Sequence, residues 1–427
     1  MPSIAKREVA GAVILGGAHG SLAVARSLGR RGIPVWFVTH DHPIAKYSRY
    51  VVRSFDWTGP SHENAARWLV EFAAKHKLDR WVLFAGGDEE VRLIACHHAM
   101  LEQAYRLTTP LWKIARIACD KRLTYEHAQA IGLDTPWSRY PNSRDEVAAL
   151  DCRFPLILKP RVHAGRNAFT DAKAWRVDDR AALLARYVEA AALVGPDAIA
   201  IQELIPGDGK SQFSYAGVWS DGRAVASLVG RRTRQYPIDF GASSTFVETI
   251  EHDEIEAAAS RFLASLHFSG LVEVEFKYDS RDRRYKLLDV NPRPWTWIAL
   301  GSAAGIDLPW LQWRLAHGEA VAPSRGRVGA RWTHALRDLV SAVQLTRRGR
   351  LSLRGYWASR PSRSTVFAAF AIDDPLPGIL DLPVLIPRLA RRRWQSSAGF
   401  RWREMRRKFE APRRPLLKAR IEYDHLR

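Results

Sequence analysis

The run "YKLLDVNPRPWTW", Tyr285 to Trp297, sets Asp289, Asn291 and Arg293 at alternate positions in a stretch that otherwise reads as buried strand. Alternate residues of a strand share a face, so a carboxylate, an amide and a guanidinium line up on one side. Burying them without partners would be costly. A bound cation together with an anionic ligand would supply those partners. Upstream, "LVEVEFKYD" carries Glu273 and Glu275 at the same spacing, and the charged turn between the two runs makes them a hairpin. Facing strands then bring Glu275 close enough to Asp289 and Asn291 to share an ion. Glu273 shares the side of Glu275 and either supports it or faces water. Hard oxygen ligands of this kind suit Mg²⁺ bridging the phosphates of a polyphosphate, and Lys121 and Lys159 are the upstream cations that could neutralise the rest.

These residues need elements to hold them. "EVAGAVILGGAHGSLAVARSLGRRGIPVWFVT" reads as strand, glycine turn (Gly16, Gly17, Gly20), amphipathic helix and strand. "RWVLFAGGDEEVRLIA" repeats the theme, with strand Trp81–Phe84, turn Gly86-Gly87 and a helix opened by Asp88, Glu89 and Glu90. Two strand ends with glycine turns predict a crevice at the carboxyl edge of a parallel sheet. Ile114–Gly132 reads as helix, with Asp120 and Lys121 near a helix start. "FPLILKP" is a buried strand ending in Lys159, and "AIAIQELIPG" another that breaks at Pro206-Gly207. "SQFSYAGVWSDGRAVASLVGRRTRQY" is a hairpin turning at Asp221-Gly222. Trp295 and Trp297 read as packing residues, and His19 and His163, each alone in its segment, as structural.

Composition bounds the class. The chain has 427 residues and a 47% hydrophobic share, enough for a large core and two or three domains. Its three cysteines (Cys96, Cys119, Cys152) stand far apart with no CxxC spacing, which argues against structural zinc and for a reducing compartment. The N-terminal run lacks the apolar core of a signal peptide, and no run approaches the length of a membrane span, so a soluble cytoplasmic protein is expected. The charge of +20 is uneven: Arg325–Arg427 holds 24 Lys and Arg against 8 Asp and Glu. That asymmetry fits an anionic partner or an arginine-rich solvated surface about equally well.

The order "DK…FPLILKP…IQELIPG…GLVEVEFK…LLDVNPR" resembles the ATP-grasp superfamily, specifically its carboxylate–amine (or thiol) ligases. The resemblance covers roughly Ile114 to Glu319. It implies an α/β protein: a parallel α/β domain at 1–113, a two-lobed α+β ATP-grasp domain at 114–320 with a smaller lid lobe at about 124–205, and a basic extension at 321–427. It implies ATP and Mg²⁺ (or Mn²⁺) as cofactors, with Glu275, Asp289 and Asn291 as metal ligands. Lys121 and Lys159 match the phosphate-binding lysines. Glu203 and Ile205 match the hinge whose backbone pairs with adenine, and Gln212 falls near a ribose-binding position. Arg293 matches the arginine that steadies an acyl phosphate. The loop after Lys159, poor in glycine, offers His163, Gly165 and Arg166 in place of a glycine-rich flap. "GRRTRQYPIDF" adds Arg231, Arg232, Arg234 and Gln235, with Arg232 and Arg234 assigned to the transferring phosphoryl group or the substrate carboxylate.

The function implied is ATP-dependent joining of a small-molecule carboxylate to an amine, with a homodimer compatible. A carboxylase-type relative activating bicarbonate is the rival enzyme, and a non-catalytic ATP-binding module that regulates attachment to membrane or nucleic acid is the rival class. The basic C-terminal region, with its proline-broken apolar stretch, suits either an anionic membrane surface or a helical appendage; nucleic acid is the less favoured partner.

Overall fold

The structure is a computed structural model, and it describes residues 10–61, 63–161, 167–172, 174–238, 243–359 and 365–384. Among these the strands form three sheets.

The first is parallel, in the order β3-β2-β1-β4-β5, built from β1 (Ala12–Leu15), β2 (Val35–Thr39), β3 (Val51–Asp56), β4 (Trp81–Ala85) and β5 (Tyr105–Leu107). Strands β1 and β2 are buried at every position, as a parallel sheet covered on both faces requires. Alternation divides β1 between two cores. Val13 and Leu15 pack with Leu69 and Phe72 of the helix Ala65–His76, while Ala12 and Ile14 pack with Leu22, Ala25 and Leu28 of the helix His19–Gly29. That second core runs on without a break into Ala216, Val218, Trp297 and Trp332, so the parallel sheet and the largest sheet share one apolar interior.

The second sheet, in the order β6-β9-β7-β8, is antiparallel and comprises β6 (Ser138–Arg139), β7 (Leu156–Pro160), β8 (Trp175–Val177) and β9 (Ile199–Glu203). It carries the helix Arg180–Val194, whose first turn is capped by Asp179 accepting from Ala182 N at 2.8 Å.

The third is the large sheet. Its path is β14-β13-β10-β11-β12-β16-β17, with β15 pairing β11; the strands are β10 (Gln212–Ser220), β11 (Arg223–Tyr236), β12 (Ser243–Ile250), β13 (Gly270–Asp279), β14 (Arg284–Asn291), β15 (Ser324–Arg325), β16 (Arg331–Thr333) and β17 (Thr365–Phe367). Asp221 and Gly222 both take positive φ (46° and 72°), the conformation a tight two-residue hairpin between β10 and β11 demands.

Two features depart from a plain reading of the pattern. The segment Ile114–Gly132 is two helices, Trp112–Cys119 and Lys121–Ala130, because Asp120 takes extended geometry and caps the second by accepting from Arg122 N at 2.9 Å. The residues after 320 also do more than append: β15 and β16 pair directly with β11 and β12, and β17 extends the sheet. Beyond them, residues 376–384 form a helix, and the segment before it is pinned to the helix His19–Gly29 through Asp373 and Asp374. The most basic part of the tail, from residue 385 on, lies outside the described residues. No helix among the described residues is long and apolar enough to cross a membrane.

Candidate active site

The antiparallel register of β13 and β14 sets Glu273 opposite Asn291 and Glu275 opposite Asp289. All four side chains therefore stand on one face. Asn291 Nδ2 donates to Glu273 Oε2 and to Glu275 Oε1, each at 3.2 Å, and Trp297 Nε1 donates to Glu273 Oε1 at 3.0 Å. Trp297 does pack, as expected, but its indole N–H also holds an acid. Glu273 is only 3% exposed; burial, reinforced by the neighbouring Glu275, pushes its carboxyl up to about 8.

Cations close on this face from three directions. Lys121, the first residue of its helix, places Nζ 2.5 Å from Asp289 Oδ1. The break at Asp120 is what aims it there. Arg232 donates from Nη1 to Glu275 and from Nε to Ser244 Oγ at 2.6 Å. Arg293 clamps Asp88 with two hydrogen bonds, 2.5 and 3.2 Å, and reaches Asn291 Oδ1 at 3.4 Å. Asp88 opens the helix that follows the Gly86-Gly87 turn, so the parallel domain contributes directly to the cluster.

Lys159 arrives from the second sheet. Its Nζ donates to Gln202 Oε1 at 2.8 Å; Gln202 Nε2 donates in turn to Tyr125 OH and Ser138 Oγ, both at 3.0 Å, and Tyr125 OH donates to Leu288 O at 3.0 Å. This relay ties the smaller sheet to the Lys121 helix and to β14. Burial, and then the like charge of Lys121, push Lys159 down to about 8.

The segment after β9 is locked by its own acid. Glu203 accepts from Lys286 Nζ at 2.8 Å, Arg281 Nη2 at 2.5 Å and Trp137 N at 2.9 Å. The Trp137 amide, which in a regular ladder would satisfy the Glu203 carbonyl, goes to its carboxylate instead, while Glu203 N donates to Trp137 O at 2.9 Å. Ile205 O accepts from Lys277 Nζ at 2.9 Å. The Ile205 carbonyl and the Glu203 carboxylate are thus both held by lysines of the β13–β14 hairpin. Gln212 begins β10 opposite Lys277, two positions from the Ser214–Glu275 pair, and so lies on the cluster's face.

Arg234 does not join the cluster. A bulge between Arg231 and Arg234 breaks the alternation, and Arg234 makes a two-pronged pair with Asp338 of the helix Ala335–Arg347 (2.8 Å from each nitrogen) plus a 3.0 Å bond to Ser359 Oγ. Its guanidinium also stacks over Phe246 at 4.3 Å. Arg234, which the sequence assigned to the transferring phosphoryl group or the substrate carboxylate, is here engaged by the helix Ala335–Arg347. Gly165, with His163 and Arg166, lies outside the described residues.

At the carboxyl edge of the parallel sheet the two glycine turns close on Glu90. A Cβ on Gly16 or Gly87 would lie 2.2 or 2.4 Å from its carboxylate oxygens. Burial pushes this acid up to about 7, and His40 Nδ1 stands 3.7 Å away. A carboxyl group seated there leaves the turns unsuited to a dinucleotide pyrophosphate. At the end of β3 opens a cavity of about 690 Å³ lined by Asp56, Trp57, Asn64, Arg67, Trp68 and Glu71, distinct from the β13–β14 cluster.

Residues 218–335, which include both cluster strands β13 and β14, match the family described as "ATP-grasp in the biosynthetic pathway with Ter operon". The chain has the ATP-grasp fold. Among solved structures, a biotin carboxylase from Campylobacter jejuni superposes with a TM-score of 0.59 at 16% identity over 75% of this chain and 74% of that one. An L-amino acid ligase from Bacillus licheniformis gives 0.53 at 16% identity over 71% and 73%, and an N5-carboxyaminoimidazole synthetase from Staphylococcus aureus 0.55 at 15% over 74% and 79%. No curated protein matches the sequence. The mixed α/β architecture read from the motifs, with a parallel domain ahead of the ATP-grasp unit, is therefore the observed one. Asp88, Gln202, Tyr125 and Trp297, which bond to the cluster or to Lys159, were not assigned to it from sequence. Tyr125 carried a signal, four residues after Lys121 and on the same helical face. Asp88 carried a weaker one in opening a helix after a glycine turn.

Proposed function

We propose that the protein is an ATP-dependent ligase that activates a carboxylate as an acyl phosphate and passes the acyl group to an amine. The observation that supports it best is the composition of the hairpin face: three acids and an amide that offer only oxygen ligands, ringed by four cations. In this structure Lys121 neutralises Asp289 and Arg232 neutralises Glu275. A triphosphate with its divalent ion would replace these pairs by partners of the same signs, phosphate for the cations and metal for the acids, so the donor set fits Mg²⁺ with ATP.

Glu275, Asp289 and Asn291 would hold the ion, which when bound draws charge from the phosphates. Lys121 and Lys159 hold phosphate oxygens, and the carbonyl of Glu203 and the amide of Ile205 receive the adenine edge, with Gln212 toward the ribose. An oxygen of the substrate carboxylate attacks the γ-phosphorus; the bond from phosphorus to the β,γ-bridging oxygen breaks and its electrons leave on ADP. Arg293, oriented by Asp88, and Arg232 stabilise charge on the transferred group. The amine nitrogen then attacks the acyl carbon, phosphate departs with the C–O electrons, and the amine proton is lost to solvent or phosphate. The parallel domain's carboxyl edge would seat the amine substrate, with Glu90 close by. A second version of the first step, activation of bicarbonate, draws support from the carboxylases among the structural neighbours, one of them a 2-oxoglutarate carboxylase domain dimer solved with MgADP and bicarbonate at TM-score 0.57 and 15% identity.

The test is ADP release against pooled carboxylates and amines, with hydroxylamine added to trap the activated acid. Carboxylate-dependent ADP release with a hydroxamate product is expected. Turnover that responds to bicarbonate alone and yields no hydroxamate would replace the ligase by a carboxylase.

A further inference from the structure

Away from the phosphate face, three segments remote in sequence bring nitrogen and oxygen donors together. His19 opens the helix after the first glycine turn, His334 follows β16, and Asp381 lies in the helix of residues 376–384. His19 Nε2 is 2.9 Å from Asp381 Oδ1, and His334 Nε2 is 3.4 Å from Asp381 Oδ2. One donor atom from each residue lies within 4.8 Å of the other two. Both imidazoles are 3% exposed, and their ring centroids are 4.8 Å apart.

The cluster is incompletely satisfied as it stands. His334 Nε2 is buried, points toward Asp381 and has no hydrogen-bond partner among the described residues, although its backbone N–H is fixed on Thr245 O at 2.9 Å. An orphaned buried nitrogen is a cost that a fold seldom carries without a use.

We infer that His19, His334 and Asp381 form a binding site for a transition-metal dication, Zn²⁺ by preference. Two imidazole nitrogens and a carboxylate suit zinc, whereas Mg²⁺ and Ca²⁺ favour all-oxygen shells. Bonds of about 2.1 Å in a tetrahedron place donors about 3.4 Å apart, so side-chain shifts of about an ångström close the site, with water as the fourth ligand. The ion would fasten the C-terminal helix to the glycine turn. That turn is itself pressed on the reactive strand's continuation: a Cβ on Gly20 would meet the Pro294 and Trp295 carbonyls at 2.9 Å. The site thus braces the turn beneath Arg293 without touching the nucleotide cluster, and it stands whether or not the ligase assignment does.

The full-length chain, freed of metal by a chelator and then titrated with Zn²⁺ and separately with Co²⁺, gives the decisive measurement. One equivalent should bind with Kd below about 1 µM, Co²⁺ should develop the visible absorption of a tetrahedral site, and one equivalent of Zn²⁺ should raise the melting midpoint by several degrees. His334→Gln and Asp381→Asn should each lose that equivalent, while Asp289→Asn keeps it. If both site variants fail to fold, the wild-type Co²⁺ spectrum decides alone. Absence of tight uptake by the wild-type chain, an octahedral Co²⁺ spectrum, or an equivalent retained in His334→Gln and Asp381→Asn would overturn the assignment.

Discussion

Two sets of acids, one at Asp374 and one on β13 and β14, show what separates a fastening from a reactive surface. Asp374 is 1% exposed, and its oxygens accept from Arg26 Nε (2.9 Å), Ser48 Oγ (2.6 Å) and Arg49 N (2.9 Å). Arg26 is matched in turn by the carbonyls of Ala369 and Asp374, at 2.6 and 2.8 Å. Nε and Nη2 of Arg26, the Ser48 hydroxyl and the Arg49 amide all meet acceptors there. On β13 and β14 the acids crowd one another instead. Glu273 is driven up to about 8, and an amide is shared between two carboxylates. Saturation makes a structural joint; unresolved like charge on one face makes a place for an ion.

The comparison breaks most sharply by neutralising each side. Asp289→Asn should lower ATP turnover by about 10²–10³-fold in an ADP-release assay at a small cost in stability, since the Lys121 it leaves unpaired is a quarter exposed to water. Asp374→Ala should do the reverse. Stranding the Arg26 guanidinium costs about 3–5 kcal/mol by denaturant titration, with turnover per folded molecule preserved. Equal stability losses in the two variants would erase the distinction.

Arg232 and Arg234 sharpen it on one strand. Arg234→Met should cost about 3 kcal/mol because Asp338 is left buried and unpaired, and adding Asp338→Leu should restore most of the loss. Arg232→Met should instead depress turnover. An Arg234 variant that is stable but inactive would return that residue to the site.

The smallest effect is on pH. Free Lys159 loses its proton near pH 8 because of burial and Lys121, despite Asp289 and Glu275 favouring the cation; Lys277 adds a further repulsive charge. Bound phosphate favours the ammonium, so nucleotide binding takes up a proton and weakens as pH rises through that value. Apparent Kd should rise about twofold by pH 8 and about tenfold by pH 9 relative to pH 6.5. Lys159→Arg should flatten the curve; an unchanged slope would remove Lys159 from the phosphate site.

How legible all this was from sequence depended on distance along the chain. The hairpin face could be read because Glu275, Asp289 and Asn291 obey strand alternation over sixteen residues, and the parallel unit because its buried strands and glycine turns recur. Arg234 parts from Arg232 because a bulge resets the alternation that joined them, and nothing in "RRTRQY" announces a bulge. His19 read as a lone structural histidine because its partners stand 315 and 362 positions away. The extension after 320 read as an appendage since strands as short as β15, β16 and β17 carry too little pattern to declare a sheet.

Mn²⁺ binding followed by electron paramagnetic resonance, with and without ADP, tests the hairpin clamp most directly. The wild-type chain should bind Mn²⁺ in a nucleotide-dependent manner, and Glu275→Gln/Asp289→Asn should abolish it with an unaltered circular dichroism spectrum. Nucleotide-dependent Mn²⁺ binding at wild-type affinity in that double variant, with ATP turnover intact, would contradict the account.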